Sequence, residues 1–219
     1  MGSSRRRGRR RRKPTPTSTT TTTPTPIPRR ARLTLRLARP TDAAAVARVM
    51  RAAIRTLAAA HYSPAELAAW SSLPALYHRW AMTVGGERYV VAEQAGRVVG
   101  YAATRRAELT ALFVAPRASR SGVGAALLAR VEREAIARRV TALRTDAARS
   151  AWAFYEAQGF RLGRAIRVPL PGGGALEARA ARKPLAGPRR GPAPTAARTG
   201  AGTGSGGRPR ARGAAGTPR

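Results

Sequence analysis

The stretch ELTALFVAPRASRSGVGAALLARVEREA, residues 108–135, decides the fold. Its first seven residues, Glu108 to Val114, read as a strand that Pro116 cuts short. From Gly122 to Arg138 the pattern changes: Val123, Leu127, Val131 and Ala135 are spaced by four, which predicts an amphipathic helix. The junction between them is Ser119-Arg120-Ser121-Gly122-Val123-Gly124-Ala125. Small residues at a helix start let backbone N–H groups approach a ligand closely. Four of those groups lack helical acceptors, and the helix dipole adds positive potential. The junction is therefore predicted to hold an anion such as a phosphate or pyrophosphate. Arg117 and Arg120 would add charge at its rim. A plain helix-start turn has the same composition, so the reading needs support from elsewhere in the chain.

That support lies downstream, in SAWAFYEAQGF at Ser150–Phe160. A short helix over Ala151–Ala157 presents Phe154 and Tyr155, Gly159 ends it, and Phe160 starts a strand. Upstream, Leu33, Leu35 and Leu37 alternate as in a half-buried strand. Pro40-Thr41-Asp42 opens a helix, with Thr41 read as its N-cap and Val46, Val49, Met50, Ala53, Ile54 and Leu57 on one face. Ser63-Pro64-Ala65-Glu66 has the form of a capping box with proline at the first helical position. Leu67 and Trp70 fall on the buried side of that helix, Pro74 breaks it, and a short helix continues through Leu76 and Trp80. Arg88–Glu93 and Arg97–Thr104 flank Gln94-Ala95-Gly96 as a hairpin. A strand at Thr141–Asp146 and a closing hairpin, Arg161–Pro169 with Ala175–Arg182 around three glycines, complete the order β-α-α-β-β-β-α-β-α-β-β. Hairpins mixed with helices in this way predict an α+β fold around one mixed sheet.

These segments together resemble the GNAT family, the GCN5-related N-acetyltransferases. Val114-Ala-Pro116, Gly122-Val-Gly124 and Leu127-Leu128 resemble that family's first signature, and Phe154-Tyr155 with Gly159-Phe160 its second. The departures are Ser119 where the family usually has Gln or Arg, Arg120 where glycine is common, and Ser150 where asparagine is usual. The resemblance covers about residues 31–185. It implies the GNAT fold, a mostly antiparallel sheet of about seven strands flanked by about four helices. It also implies acetyl-CoA as cosubstrate and direct attack on the thioester by a primary amine. In that picture Leu112, Phe113 and Val114 lie along the pantetheine arm, and backbone N–H groups from Ser119 through Arg120, Ser121, Gly122, Val123 and Gly124 to Ala125 hold the pyrophosphate. Ser150 belongs to the same cofactor site, and Tyr155 is the acid that serves the leaving thiolate. For the base, the resemblance favours Glu108, acting through water. His61, just before the capping box, is its rival, with an intrinsic pKa suited to the task. Tyr62, Trp70 and Trp80 are read either as shaping an acceptor pocket or as core.

Composition bounds the alternatives. Hydrophobic residues make up 43% of the 219, enough for one ordinary domain, here residues 29–185, between tails at 1–28 and 186–219. No cysteine is present, which excludes a thiolate nucleophile, a disulfide and cysteine metal sites. Two histidines, His61 and His78, do not suggest a metal site, and no metal is expected. The net charge is +32, from 42 basic residues against ten acids. Eight of the basic residues lie in 1–28 and seven in 187–219, where there are no acids. Both tails are too poor in apolar residues to fold alone and are expected to be disordered. They make a nucleic-acid-binding protein acting through its tails the main alternative, although no aromatic residues interleave with their arginines to stack on bases. An acyl-CoA-binding regulator without catalysis is the other alternative. A small-molecule or protein amine is the expected acceptor, and a homodimer is compatible with the sequence. No apolar run reaches the roughly 18–20 residues of a membrane span, and no apolar stretch follows the N-terminal arginines as a secretory signal requires. The expected compartment is the cytoplasm.

Overall fold

The computed structural model describes residues 32–185. The basic tails at 1–28 and 186–219 lie outside them. Seven strands form one sheet: β1 (Thr34–Leu37), β2 (Arg88–Gln94), β3 (Arg97–Arg105), β4 (Glu108–Val114), β5 (Ala142–Ala148), β6 (Arg161–Pro169) and β7 (Ala175–Pro184). Their order across the sheet is β1-β2-β3-β4-β5-β7-β6. All neighbours are antiparallel except β4 and β5, which the crossover helix makes parallel. Five α-helices are described, one more than the resemblance implied: α1 (Ala43–Leu57), α2 (Pro64–Trp70), α3 (Ala75–Thr83), α4 (Val123–Ala137) and α5 (Trp152–Ala157). The extra one is α3, which restarts the chain after Pro74.

Period-two alternation in the central strands divides the core in two. Val90, Ala92, Val99 and Ala102 face α4, whose Val123, Leu127, Leu128, Val131 and Ala135 are buried against them. Tyr89, Val91, Tyr101 and Ala103 face the other way, onto Val46, Val49, Met50 and Ile54 of α1. β2 and β3 are thus covered on both faces. Each fully buried Leu of α4 contributes about 1.5–3 kcal/mol relative to exposure. Gly100 of β3 is required by this packing. A Cβ there would lie 3.1 Å from Leu127 Cδ1, Val123 Cγ1 and the Phe113 carbonyl.

Local sequence signals held with two exceptions. Ser63 Oγ accepts the Glu66 N–H and Glu66 accepts the Ser63 N–H, closing the capping box of α2. Ala95 and Gly96 both have positive φ, 49° and 70°, as a two-residue hairpin turn demands. Thr41, however, caps nothing. Pro40–Asp42 is a turn of 3-10 helix, and Asp42 accepts the Arg39 N–H at 2.7 Å while pairing with Arg36 at 2.7 Å. Asp wins because its carboxylate, held below its usual range first by that Arg36 bond, satisfies a cation and an N–H together. Leu37 is the second exception. Leu33 and Leu35 pack on the α4 core, but Leu37 is 45% exposed, because β1 is an edge strand with nothing over its end.

Candidate active site

The site begins with a seam. β4 and β5 share one register pair, Glu108↔Arg144. There the Arg144 N–H donates to the Ala107 carbonyl at 3.0 Å. Next to it Thr145 Oγ1 donates to the Leu109 carbonyl at 2.8 Å. Beyond that point the strands part. β4 follows β3 as far as Gly100↔Val114, while β5 follows β7 as far as Ala148↔Ala178. A bulge aids the parting: Ala103 pairs Ala111 and Thr104 pairs Leu109, so Thr110 is an extra residue that bends β4. Thr110 Oγ1 donates to Glu87 at 3.2 Å, and Arg105 bonds the same carboxylate at 2.8 Å. The edge of Ala111–Val114 that faces β5 has no strand partner among the described residues. Extended backbone groups left open in this way suit a ligand that pairs like a strand.

The wide end of the seam meets the start of α4. Arg120 and Gly122 have φ of 54° and 85°, and Ser121 between them does not, so the backbone alternates in hand. Such alternation curls successive N–H groups into a concavity for an anion. Ser121 Oγ pins the loop by donating to the Ala118 carbonyl at 2.7 Å. The Ser119 N–H is already engaged with the Pro116 carbonyl at 3.1 Å, so the donor set expected from Ser119 to Ala125 shortens to Arg120–Ala125. Arg117 and Arg120 are exposed at the rim. Gly124 is where three segments converge. A Cβ there would stand 3.2 Å from Phe154 Cε2 and 3.7 Å from Leu112 Cδ2. Leu112, Phe113 and Val114 are half-buried along the seam.

Tyr155 sits behind that convergence, 5% exposed, its ring 5.3 Å from Phe154 and 5.1 Å from Phe160. Burial pushes its phenol up to about 12, against a smaller opposite pull from Thr145. It is therefore a protonated donor at neutral pH. Glu108 is exposed at the narrow end of the seam, and His61 is exposed in the turn between α1 and α2. Ser150 is exposed in the 3-10 turn after β5. Tyr62 and Trp70 meet edge to face at 5.7 Å, and Trp70 meets Phe113 at 5.9 Å. The Tyr62 hydroxyl accepts the Arg149 N–H at 2.6 Å and donates to the Glu177 carbonyl at 2.9 Å. It thereby ties the α1–α2 turn to the ends of β5 and β7. Trp80 is not brought to this group. It lies on the outer side of α3, 48% exposed, beside Tyr77.

Comparison with known proteins agrees with this fold. A model of the acetyltransferase (GNAT) domain matches residues 58–166, which run from the end of α1 to the middle of β6 and hold the whole seam. A crystal structure of a GCN5-related N-acetyltransferase from Rhodopseudomonas palustris superposes with a TM-score of 0.66 at 28% identity, over 71% of this chain and 98% of that one. The chain belongs to the GNAT acetyltransferase family. An uncharacterized N-acetyltransferase of Escherichia coli, YafP, is 27% identical over 64% of this chain and 89% of its own. The fold is also that of a putative acetyltransferase from Salmonella typhimurium, yncA, solved with acetyl-CoA, with a TM-score of 0.54 at 21% identity over 71% and 95% of the two chains.

Within this GNAT domain, sequence reasoning missed Thr145, whose hydroxyl donates across the seam to the Leu109 carbonyl. A single threonine in a strand carries no signal of that kind. It also missed the stack of Arg179 on Trp152, guanidinium 4.9 Å from the ring centroid, with Trp152 Nε1 donating to the Ala147 carbonyl at 2.9 Å. That stack clamps α5, and so Tyr155, to the sheet. Among the described residues no three His, Asp or Glu side chains are grouped to hold a metal, and no helix is long and apolar enough to cross a membrane.

Proposed function

We propose that this acetyltransferase moves an acetyl group from acetyl-CoA to a primary amine by direct attack, at the seam between β4 and β5. The observation that carries the reading is the parting of those strands beyond Glu108↔Arg144, beside a helix start with free N–H groups. An extended pantetheine arm fits along Ala111–Val114, with its pyrophosphate on the N–H groups of Arg120–Ala125. Gly124 lets the start of α4 come close to Phe154 and Leu112, where an added Cβ would stand 3.2 Å from the Phe154 ring. The chain has no cysteine, so the acetyl group passes to the amine without a cysteinyl intermediate.

Tyr155 is the donor to the leaving sulfur. Burial pushes its phenol up to about 12, so it stays protonated at neutral pH and can donate to the sulfur as charge develops there. Its work is a hydrogen bond that stabilises the developing charge. Glu108, exposed at the narrow end of the seam, takes the proton of the amine through a water molecule. His61 is its rival. A large fall in kcat in His61→Gln, with Glu108→Gln unaffected, would reverse the assignment.

Calorimetric titration of acetyl-CoA into the full chain tests the reading. Binding is expected at one site per chain, with Gly124→Glu reducing affinity by about a hundredfold or more, since its side chain is forced away from Phe154 and places a carboxylate against the anion site. No heat with wild-type protein of native circular dichroism would overturn it.

A further inference from the structure

The register of the sheet lines up five exposed charged residues that are scattered in sequence. Arg105 pairs Glu108, Glu108 pairs Arg144, Arg144 pairs Arg182, and Arg182 pairs Arg161. Residues paired in this way project from the same face of a sheet. That face is the one opposite α4, because the flanking Leu109, Leu143, Ala181 and Leu162 all belong to the α4 core. On it α1 packs over β3 and β4, and Ala58, Tyr62 and the α2 residues pack over the Leu176 end of β7. The row itself is exposed. At the usual strand spacing it crosses five strands in about 19 Å.

Arg182 stands directly opposite both Arg144 and Arg161, and of the three only Arg144 has an acid, Glu108, as its other register partner. Like charges in that relation destabilise a sheet. All ten acidic side chains of the protein lie among the described residues, and none comes within 4.0 Å of these three guanidinium groups. Asp146, two residues along β5 on the same face, is not within pairing distance either. Read along the row, the charges run plus, minus, plus, plus, plus. The minus sign is Glu108.

We propose that this row selects the acceptor: an extended acidic peptide whose free amine lies opposite Glu108 and whose following carboxylates lie on Arg144, Arg182 and Arg161. The proposal rests on the acetyl-transfer reading above and names its substrate class. The charge pattern of such a peptide is the complement of the row, and arginine is the side chain that binds carboxylates in pairs of parallel hydrogen bonds. A nucleic-acid strand fits less well. Glu108 and Asp146 would oppose an unbroken run of phosphates, and the rings on this face, Tyr62 and Trp70, are already packed against each other and against Phe113.

The test uses the full chain and two peptides with the same N-terminal alanine, one continuing Asp-Glu-Asp and the other Asn-Gln-Asn. Binding is read by fluorescence anisotropy and turnover by CoA release. The acidic peptide is expected to bind roughly tenfold or more tightly at low salt, with the preference shrinking as salt rises. Arg182→Gln should cost the acidic peptide roughly five- to tenfold in KM, leave kcat unchanged and leave the neutral peptide unaffected. Equal binding of the two peptides overturns the proposal, as does an equal loss on both in the variant. Displacement by single-stranded RNA but not by the acidic peptide overturns it in favour of a nucleic-acid surface. Selective binding without CoA release from any amine would leave the row assigned and sink acetyl transfer instead, so the two failures are distinct.

Discussion

The two sides of the β4–β5 seam are built differently. On one side β2 and β3 are buried along most of their length, sandwiched between α4 and α1. On the other, β7 alternates buried and exposed residues and β6 half-buried and exposed ones, with helices over one face; the opposite face is covered only at its Leu176 end and otherwise carries the arginine row. The doubly covered half is a scaffold in which each residue touches two layers. The singly covered half has a free face, and it is there that charged side chains reach solvent beside Glu108. In a sheet of mixed cover, function gathers where the cover stops.

The sharpest way to break the comparison is to remove matched leucines from its two sides. Leu127 is fully buried between β2–β4 and the body of α4, whereas Leu162 of β6 is only half-buried. Leu127→Ala should destabilise by about 3–4 kcal/mol and Leu162→Ala by about 1 kcal/mol, the difference being cavity that cannot collapse. Urea midpoints with unchanged slopes would measure both. Equal losses would mean that the two halves are equally packed.

The doubly covered half also contains a titration. His78 of α3 is 2% exposed, its Nδ1 is 3.2 Å from the Tyr89 hydroxyl, and its Nε2 has no partner among the described residues. Burial lowers its pKa from 6.5 to about 4. A histidine whose folded pKa is depressed stabilises the fold above its unfolded value, and that contribution is lost as pH falls from 6.5 toward 4. The full span is at most about 3 kcal/mol. His78→Leu should flatten stability over that window, and an unchanged acid limb in the variant would place the transition on the carboxylates instead.

At the seam itself the expected change is in rate. Tyr155→Phe keeps the ring contacts with Phe154 and Phe160 and removes the hydroxyl. A kcat loss of about 10–100-fold with little change in KM for acetyl-CoA is expected for a donor that acts in the transition state. A fall in affinity with kcat intact would make Tyr155 a packing residue of the cofactor site.

How far the sequence revealed this molecule follows the same division. Signals confined to neighbouring residues were legible: the capping box at Ser63, the turn at Ala95-Gly96, the glycines before α4, and Phe154-Tyr155 before Gly159. Features that depend on strand register were not. Arg144, Arg161 and Arg182 are separated by up to 38 positions and meet only because β7 lies between β5 and β6. The burial of His78 and the anchoring role of Tyr62 were hidden for the same reason, since both depend on distant strands arriving beside them. Thr41 failed more locally: a threonine after proline has the composition of a cap, and only the arrival of Arg36 showed that Asp42 was the better acceptor.

The smallest prediction concerns an element that bridges the two halves on the face opposite α4. α2 has seven residues, too few to hold a helix by propensity. Its Leu67 and Trp70 pack both on the α1 core and on the cluster around Leu170 and Leu176 of the closing hairpin. The Ser63–Glu66 box therefore fixes the start of a helix that, on the face opposite α4, touches both sides of the seam. Ser63→Ala should cost about 1 kcal/mol, the ordinary value of an N-cap. Its second effect distinguishes a bridge from a surface turn. If α2 couples the halves, loosening it will shift Trp70 emission and raise hydrogen exchange in β7 as well as in α1. Exchange that rises in α2 alone would show that the halves are joined through the sheet, with α2 resting on both and holding neither.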